Sequence, residues 1–300
     1  MSRPVTESRG LPPAWWGLAD GAALPPERSI AGLVADRTLD AELAGLLWLL
    51  VEARVPLVVV GPRGSGRTTV LTALLACRPA EARTLVLAGE DEDFASMPEA
   101  VELGWRREGR HPVEVRPEPG AVLLVTELGD RPPAGTFGPR ALIVVRALSV
   151  GYGLATTIEG GGLEDAFARL RGPAVGAGAD ELAGLGVVVV LRERADGESP
   201  VVEVVHYVRP LFRDTHGHVQ RLPPAVLVAR DARTGRLEDF SWAIADELAG
   251  RTGRRPIELE RAQARRGGLL GRLAAAGVID PAEVGAAIEA HRAERAGLPD

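Results

Sequence analysis

The stretch VVVGPRGSGRTTVLTALLA, residues 58–76, decides how this chain is read. An apolar run ends at Gly61, glycines recur at Gly64 and Gly66, and a helix-forming segment follows from Thr68. The spacing fits G-x-x-x-x-G-K-[ST] at every fixed position except one, where Arg67 stands in place of lysine. Glycines let backbone N–H groups turn inward around a phosphate, and the helix start beneath adds the positive end of its dipole. Gly61, Arg63, Gly64, Ser65, Gly66, Arg67, Thr68 and Thr69 are therefore the candidate nucleotide-binding residues, with the Thr68 hydroxyl placed to hold Mg²⁺ beside ATP. The competing reading is a glycine-rich strand-to-helix turn with no ligand. Lysine is a compact ammonium, whereas the guanidinium of Arg67 is larger, planar and forked.

All 35 basic residues are arginine, which bears on Arg67. Either lysine has been replaced throughout the chain, or the loop is no longer required to catalyse. With 300 residues, 46% of them hydrophobic, the chain is long and apolar enough for a sizeable core. A net charge of −6 argues against a general nucleic-acid binder or a protein drawn to anionic membranes. One cysteine, Cys77, permits no internal disulfide and fits a reducing cytosol, and its apolar helical setting suggests simple packing. The N-terminus lacks the apolar centre of a signal peptide, and the longest apolar run, residues 43–51, is too short to span a bilayer. No direct membrane insertion is expected.

Residues 1–28, rich in proline, glycine and arginine, read as an irregular arm anchored by Trp15 and Trp16. Helical periodicity follows, with Asp40 placed to cap a helix through Leu43, Leu46, Leu47 and Leu50. Short apolar runs then alternate with helical segments: 57–60, 84–89, 121–127, 141–148, 152–158 and 186–193 read as strands, and 68–76 as a helix. Near-continuous apolar strands separated by helices predict an α/β fold, a central mostly parallel sheet flanked by helices. Two later, more exposed strands are expected around 200–212 and 224–231, as a hairpin. The core is expected over 29–237 and a C-terminal helical subdomain over 238–300, with Asp280 capping and Pro281 in a first turn. His216 and His218 lack a third ligand at metal spacing and read as a polar turn. The basic segment ERAQARRGG, 260–268, reads as a solvated helical face, with an acidic partner or a neighbouring subunit as the alternative, and His111 and His291 read as exposed.

A phosphate loop needs a second strand that delivers a carboxylate to metal or water. AVLLVTELGD, residues 121–130, supplies Glu127 at a strand's C-terminal end, where ligands bind in open α/β sheets. A capping carboxylate is the alternative. The acidic run GEDEDF, 89–94, also follows an apolar strand, and one of its carboxylates could polarise water or bind magnesium.

Together these residues resemble the type II/IV secretion ATPases, the family that includes the motors of type IV pili, archaella and tight-adherence pili, and most closely its archaeal-type branch. The resemblance covers about 29–295. Residues 38–76 look like the family's helix, strand and Walker A passage, 84–94 are similar to its acidic box, 119–130 to Walker B, and 149–170 to the histidine box. It implies a P-loop NTPase of the RecA-like kind, with Glu127 and Arg67 as catalytic residues, Glu90 (or Asp93) as the acidic-box carboxylate, and Thr68 and Glu127 at the metal. It further implies a homo-oligomeric ring, a hexamer, that binds ATP and Mg²⁺ in the cytoplasm and meets an inner-membrane platform protein at the membrane's inner face. Arg116 matches a phosphate-facing arginine of the family. Departures from the pattern are Arg67 for lysine, Thr126 for glycine, Gly129 for arginine, Glu159 for histidine, and the extra segment GDRPPAGTFGPR at 129–140. Two functions remain: a motor ATPase of a secretion or pilus machine, or a catalytically degenerate paralogue that binds nucleotide or acts as a scaffold or regulatory subunit.

Overall fold

The computed structural model describes residues 28–79, 82–87, 89–106, 120–132, 134–194 and 199–296. The expected arm over 1–28 with its two tryptophans lies outside them apart from Arg28, as do His111 and Arg116.

An eight-stranded sheet runs through the molecule. Its strands, in chain order, are β1 (Leu57–Gly61), β2 (Thr84–Val86), β3 (Val122–Val125), β6 (Gly153–Glu159), β7 (Gly186–Arg192), β8 (Val201–Val208), β11 (Ala225–Arg230) and β12 (Leu237–Asp239). Two short pairs stand apart, β4 (Leu128–Gly129) with β5 (Thr136–Phe137), and β9 (Phe212–Arg213) with β10 (Val219–Gln220). Across the sheet the order is β12-β11-β8-β7-β1-β6-β3-β2. From β7 to β2 neighbours are parallel, and β8, β11 and β12 extend the sheet antiparallel, as the expected later strands do.

Nine helices accompany it among the described residues: α1 (Ile30–Ala35), α2 (Ala41–Glu52), α3 (Arg67–Leu75), α4 (Gly138–Ala147), α5 (Leu163–Arg171), α6 (Ala179–Leu182), α7 (Ala245–Arg251), α8 (Pro256–Ala275) and α9 (Pro281–Ala296). The apolar runs of the central strands split by alternation. Leu57, Val59, Leu124, Val187 and Val189 face α1, α2, α3, α8 and α9, while Val58, Val60, Leu123, Val125, Val188 and Val190 face α4, α5 and α6. Burial on both faces explains why the sequence shows continuous apolar strands. Asp40 Oδ1 accepts from Leu43 N–H at 2.8 Å, and Asp280 Oδ1 from Ala282 N–H at 2.9 Å, so both expected caps form. Among the described residues no helix is long and apolar enough to cross a membrane.

Residues 141–148 correct the sequence reading, since they lie mostly in helix α4 and not in a strand. A short apolar run is ambiguous by periodicity alone. The topology decides: β3 and β6 are parallel neighbours, and a parallel pair is joined by a crossover of a dozen or more residues, usually a helix. The extra segment after Glu127 forms the β4–β5 bridge and leads into that crossover, with Pro139 in its first turn.

In the basic segment 260–268, Arg261 and Arg265 are exposed as expected, and Arg266 brings a second correction. Arg266 is 4% exposed, and its Nη2 lies 2.7 Å from Glu52 Oε2 at the end of α2. Glu52 Oε1 also accepts from Trp48 Nε1 at 2.7 Å and from Arg292 Nε at 3.0 Å, so one carboxylate joins α2, α8 and α9. His291, expected to be exposed, is half-buried and meets the Trp48 ring edge-on at 5.4 Å. Both misreadings have one cause: helical face is invisible until the partner helix is placed. Cys77 is fully buried in the same apolar cluster, as its setting suggested.

Candidate functional site

Parallel strands aim their C-terminal ends at one edge. Gly61 is in register with Glu159, and Val125 with Thr156, so the ends of β1, β6 and β3 lie side by side there. Since β6 separates β1 from β3, the loop strand and the acidic strand stand two spacings apart, roughly 10 Å.

The loop after β1 uses its glycines. Gly64 and Gly66 have φ of 80° and 72°, the left-handed region that side chains disfavour. A Cβ on Gly61 would fall 2.4 Å from Ser65 Oγ, which is turned inward against the strand end. Ser65 is 1% exposed, and its hydroxyl has no hydrogen-bond partner among the described residues. Gly66 caps α3 with backbone alone, leaving the first-turn N–H groups of Arg67, Thr68 and Thr69 without a side-chain cap.

Across β6, the end of β3 is pinned from both sides. Thr157 Oγ1 donates to the Thr126 carbonyl at 2.8 Å, and Thr136 N–H donates to the Glu127 carbonyl at 2.9 Å. This fixes Glu127 so that its Oε1 accepts from Arg67 Nη1 at 2.8 Å. Two further pairs stand nearby: Arg63 Nε with Glu159 Oε2 at 2.7 Å, and Arg169 Nη1 of α5 with Asp130 Oδ1 at 3.0 Å. The Arg63 hydrogen bond holds the Glu159 carboxyl below the ordinary carboxylate value, with smaller contributions from Arg169 and Arg67.

Arg63, Glu127, Asp130, Arg131, Glu159 and Arg169 line a cleft of about 130 Å³. That is smaller than the roughly 300–1,000 Å³ of an ordinary small-molecule pocket, so it suits a phosphate group and not a whole nucleoside. Of the loop residues only Arg63 lines the cleft; Arg67 joins the loop to Glu127 beside it, while Gly64, Ser65, Gly66, Thr68 and Thr69 do not line it. Glu90 is exposed on a single 3₁₀ turn and does not line the cleft. Asp93 is exposed too and accepts from Ala95 N–H, while the buried Glu92 folds back onto Phe94 N–H. Asp130 and Arg169 went unremarked in the sequence. Asp130 follows Glu127 by three residues and was within reach of a sequence argument, whereas Arg169 sits on a helix face like any solvated arginine.

The donor set suits phosphate and magnesium in kind. A buried, unpartnered hydroxyl, an uncapped helix start and open space beside Gly64 form a cradle. Magnesium is characteristically held by one or two carboxylates together with substrate phosphates, and Glu127, Asp130 and the Thr68 hydroxyl are the groups that would supply such ligands. Among the described residues no group of three or more acidic, histidine or cysteine side chains is placed to hold a metal unaided. His216 and His218 form the polar turn expected of them, both N–H groups donating to Asp214 Oδ1.

No protein-family model matches this chain, and no curated protein does. Among solved structures it is similar to the VirB11 ATPase of the Brucella suis type IV secretion system, crystallised in complex with sulphate. The identity is 22% and the TM-score 0.38, over 54% of this chain and 50% of that one, so the match spans half the length of the solved chain.

Proposed function

We propose that this chain is a P-loop ATP-binding protein of the RecA-like kind, working as a motor subunit of a secretion or pilus machine. The observation that carries the reading is the Arg67–Glu127 pair, which joins the glycine loop to the carboxylate of the acidic strand across an intervening strand. A turn without a ligand has no use for this convergence, nor for the buried hydroxyl of Ser65. In this reading the N–H groups from Gly64 to Thr69 cradle the phosphates, Arg67 neutralises them, and Thr68 with Glu127 holds Mg²⁺. Magnesium held there would supply positive charge against the negative charge that develops during transfer. Glu127 orients the attacking water. Glu90 is proposed as the acidic-box carboxylate, standing on its exposed turn outside the cleft.

The order of the motifs along the chain supports a place in a ring, a homo-hexamer in the cytoplasm that acts on an inner-membrane platform protein. A second reading, a nucleotide holder or scaffold without turnover, is favoured by one observation: Arg63, Arg67 and Arg169 are each already neutralised by a carboxylate. The test is magnesium-dependent phosphate release from ATP by the purified chain at high concentration, with Glu127→Gln as the control. Release that vanishes in the control supports the motor. Nucleotide binding without release leaves the holder, and no binding removes the motor and the holder and leaves the scaffold.

A further inference from the structure

The three ion pairs at the cleft differ in what else depends on them. Arg67–Glu127 belongs to the proposed machinery, and Arg169–Asp130 ties α5 to the segment after β3. Arg63–Glu159 stands on the loop itself and is the most open, with the two side chains 60% and 33% exposed. Neither side chain has another hydrogen-bond partner among the described residues. Glu159 also stands in register with Gly61, the first residue of the loop, so its carboxylate projects beside the phosphate cradle.

An arginine binds carboxylate and phosphate through the same fork of donors at the same distance. The Glu159 carboxylate therefore occupies Arg63 where a ligand phosphate oxygen would otherwise stand. Resting on the phosphate-cleft reading above, we propose that Glu159 is a specificity-determining residue, a decoy that keeps bare polyphosphate off Arg63 and admits its magnesium complex. A bare anion has to displace Glu159 and then sit beside it, with Glu127 and Asp130 close by on the same cleft. Magnesium lowers the ligand's charge by two and gives the displaced carboxylates a cation to face.

The test is calorimetric titration of the full chain with inorganic tripolyphosphate, with and without Mg²⁺. It compares the native sequence, Glu159→Gln, Arg63→Gln and the double variant, each checked for an unchanged melting curve. The native chain is expected to bind the magnesium complex at least about tenfold more tightly than the bare anion. Glu159→Gln should bind the bare anion about tenfold better than the native chain, closing that gap. The gain should be lost in the double variant, while Arg63→Gln alone still excludes the bare anion. If Glu159→Gln leaves the gap as it was, or the native chain does not distinguish the two ligands, the decoy is wrong and the phosphate cleft stands. If no form binds either ligand, the cleft reading fails together with the proposal.

Discussion

Arg67 Nη1 and Glu127 Oε1 lie 2.8 Å apart although 60 residues separate them in the chain. The side chains are 11% and 21% exposed, so the pair is shielded enough for its geometry to matter. Glu127→Gln keeps the shape and removes the charge. In a motor, phosphate release should fall by about 10²- to 10⁴-fold while ATP binding is retained. Unchanged hydrolysis, measured beside a binding titration, would take Glu127 out of the mechanism.

Arg67→Lys tests the substituted position directly. An ammonium bears the same charge on a compact, freely rotating head and fits the glycine nest without a forked plane. Phosphate release is expected to rise. A rate equal to the native one would mean that the site is adapted to arginine, and a lower one that the guanidinium is required.

Glu52→Ala should be among the most destabilising single changes in the chain. It removes the carboxylate that Arg266, Arg292 and Trp48 all share, and with it the ion pair of a guanidinium that is 4% exposed. Breaking a buried ion pair from one side costs about 3–5 kcal/mol. Urea unfolding of the two chains measures it, and a loss under 1 kcal/mol would place the network in the class of solvated surface pairs.

Gly45→Ala inverts the usual rule. In an exposed helix the change stabilises by about 1 kcal/mol. Here a Cβ would lie 2.5 Å from the Gln263 carbonyl and 2.7 Å from Gly267 N, where α2 and α8 cross. A loss of about 1–3 kcal/mol is expected, read as a lower melting temperature; a higher one would contradict the close crossing.

Burial pushes the Cys77 thiol from 9.0 up to about 12. The folded chain then holds its proton more tightly than the unfolded one. This contribution is complete below pH 9 and is lost as pH rises from 9 towards 12. Relative to Cys77→Ala, the native chain should lose on the order of 1 kcal/mol between pH 8 and pH 10. Iodoacetamide at pH 8 should label Cys77 only as fast as the chain unfolds.

The α/β fold was legible because its signals are local. Continuous apolar strands, the glycine spacing of 61–66 and the caps at Asp40 and Asp280 each depend on a few neighbouring residues. Glu127 could be placed at a strand end for the same reason. By itself the sequence thus determined the kinds of element, the loop and the residues that could serve it. Tertiary structure alone decided that 141–148 form mostly crossover helix, that Arg266 is buried on Glu52, and that Arg63, Arg67 and Arg169 each meet a carboxylate. Strand order and helix packing bring these groups together over separations of 39 to 214 residues. A single chain of letters records each residue's chemistry but not its partner, because charge pairing and burial depend on distances that exist only after the sheet has assembled.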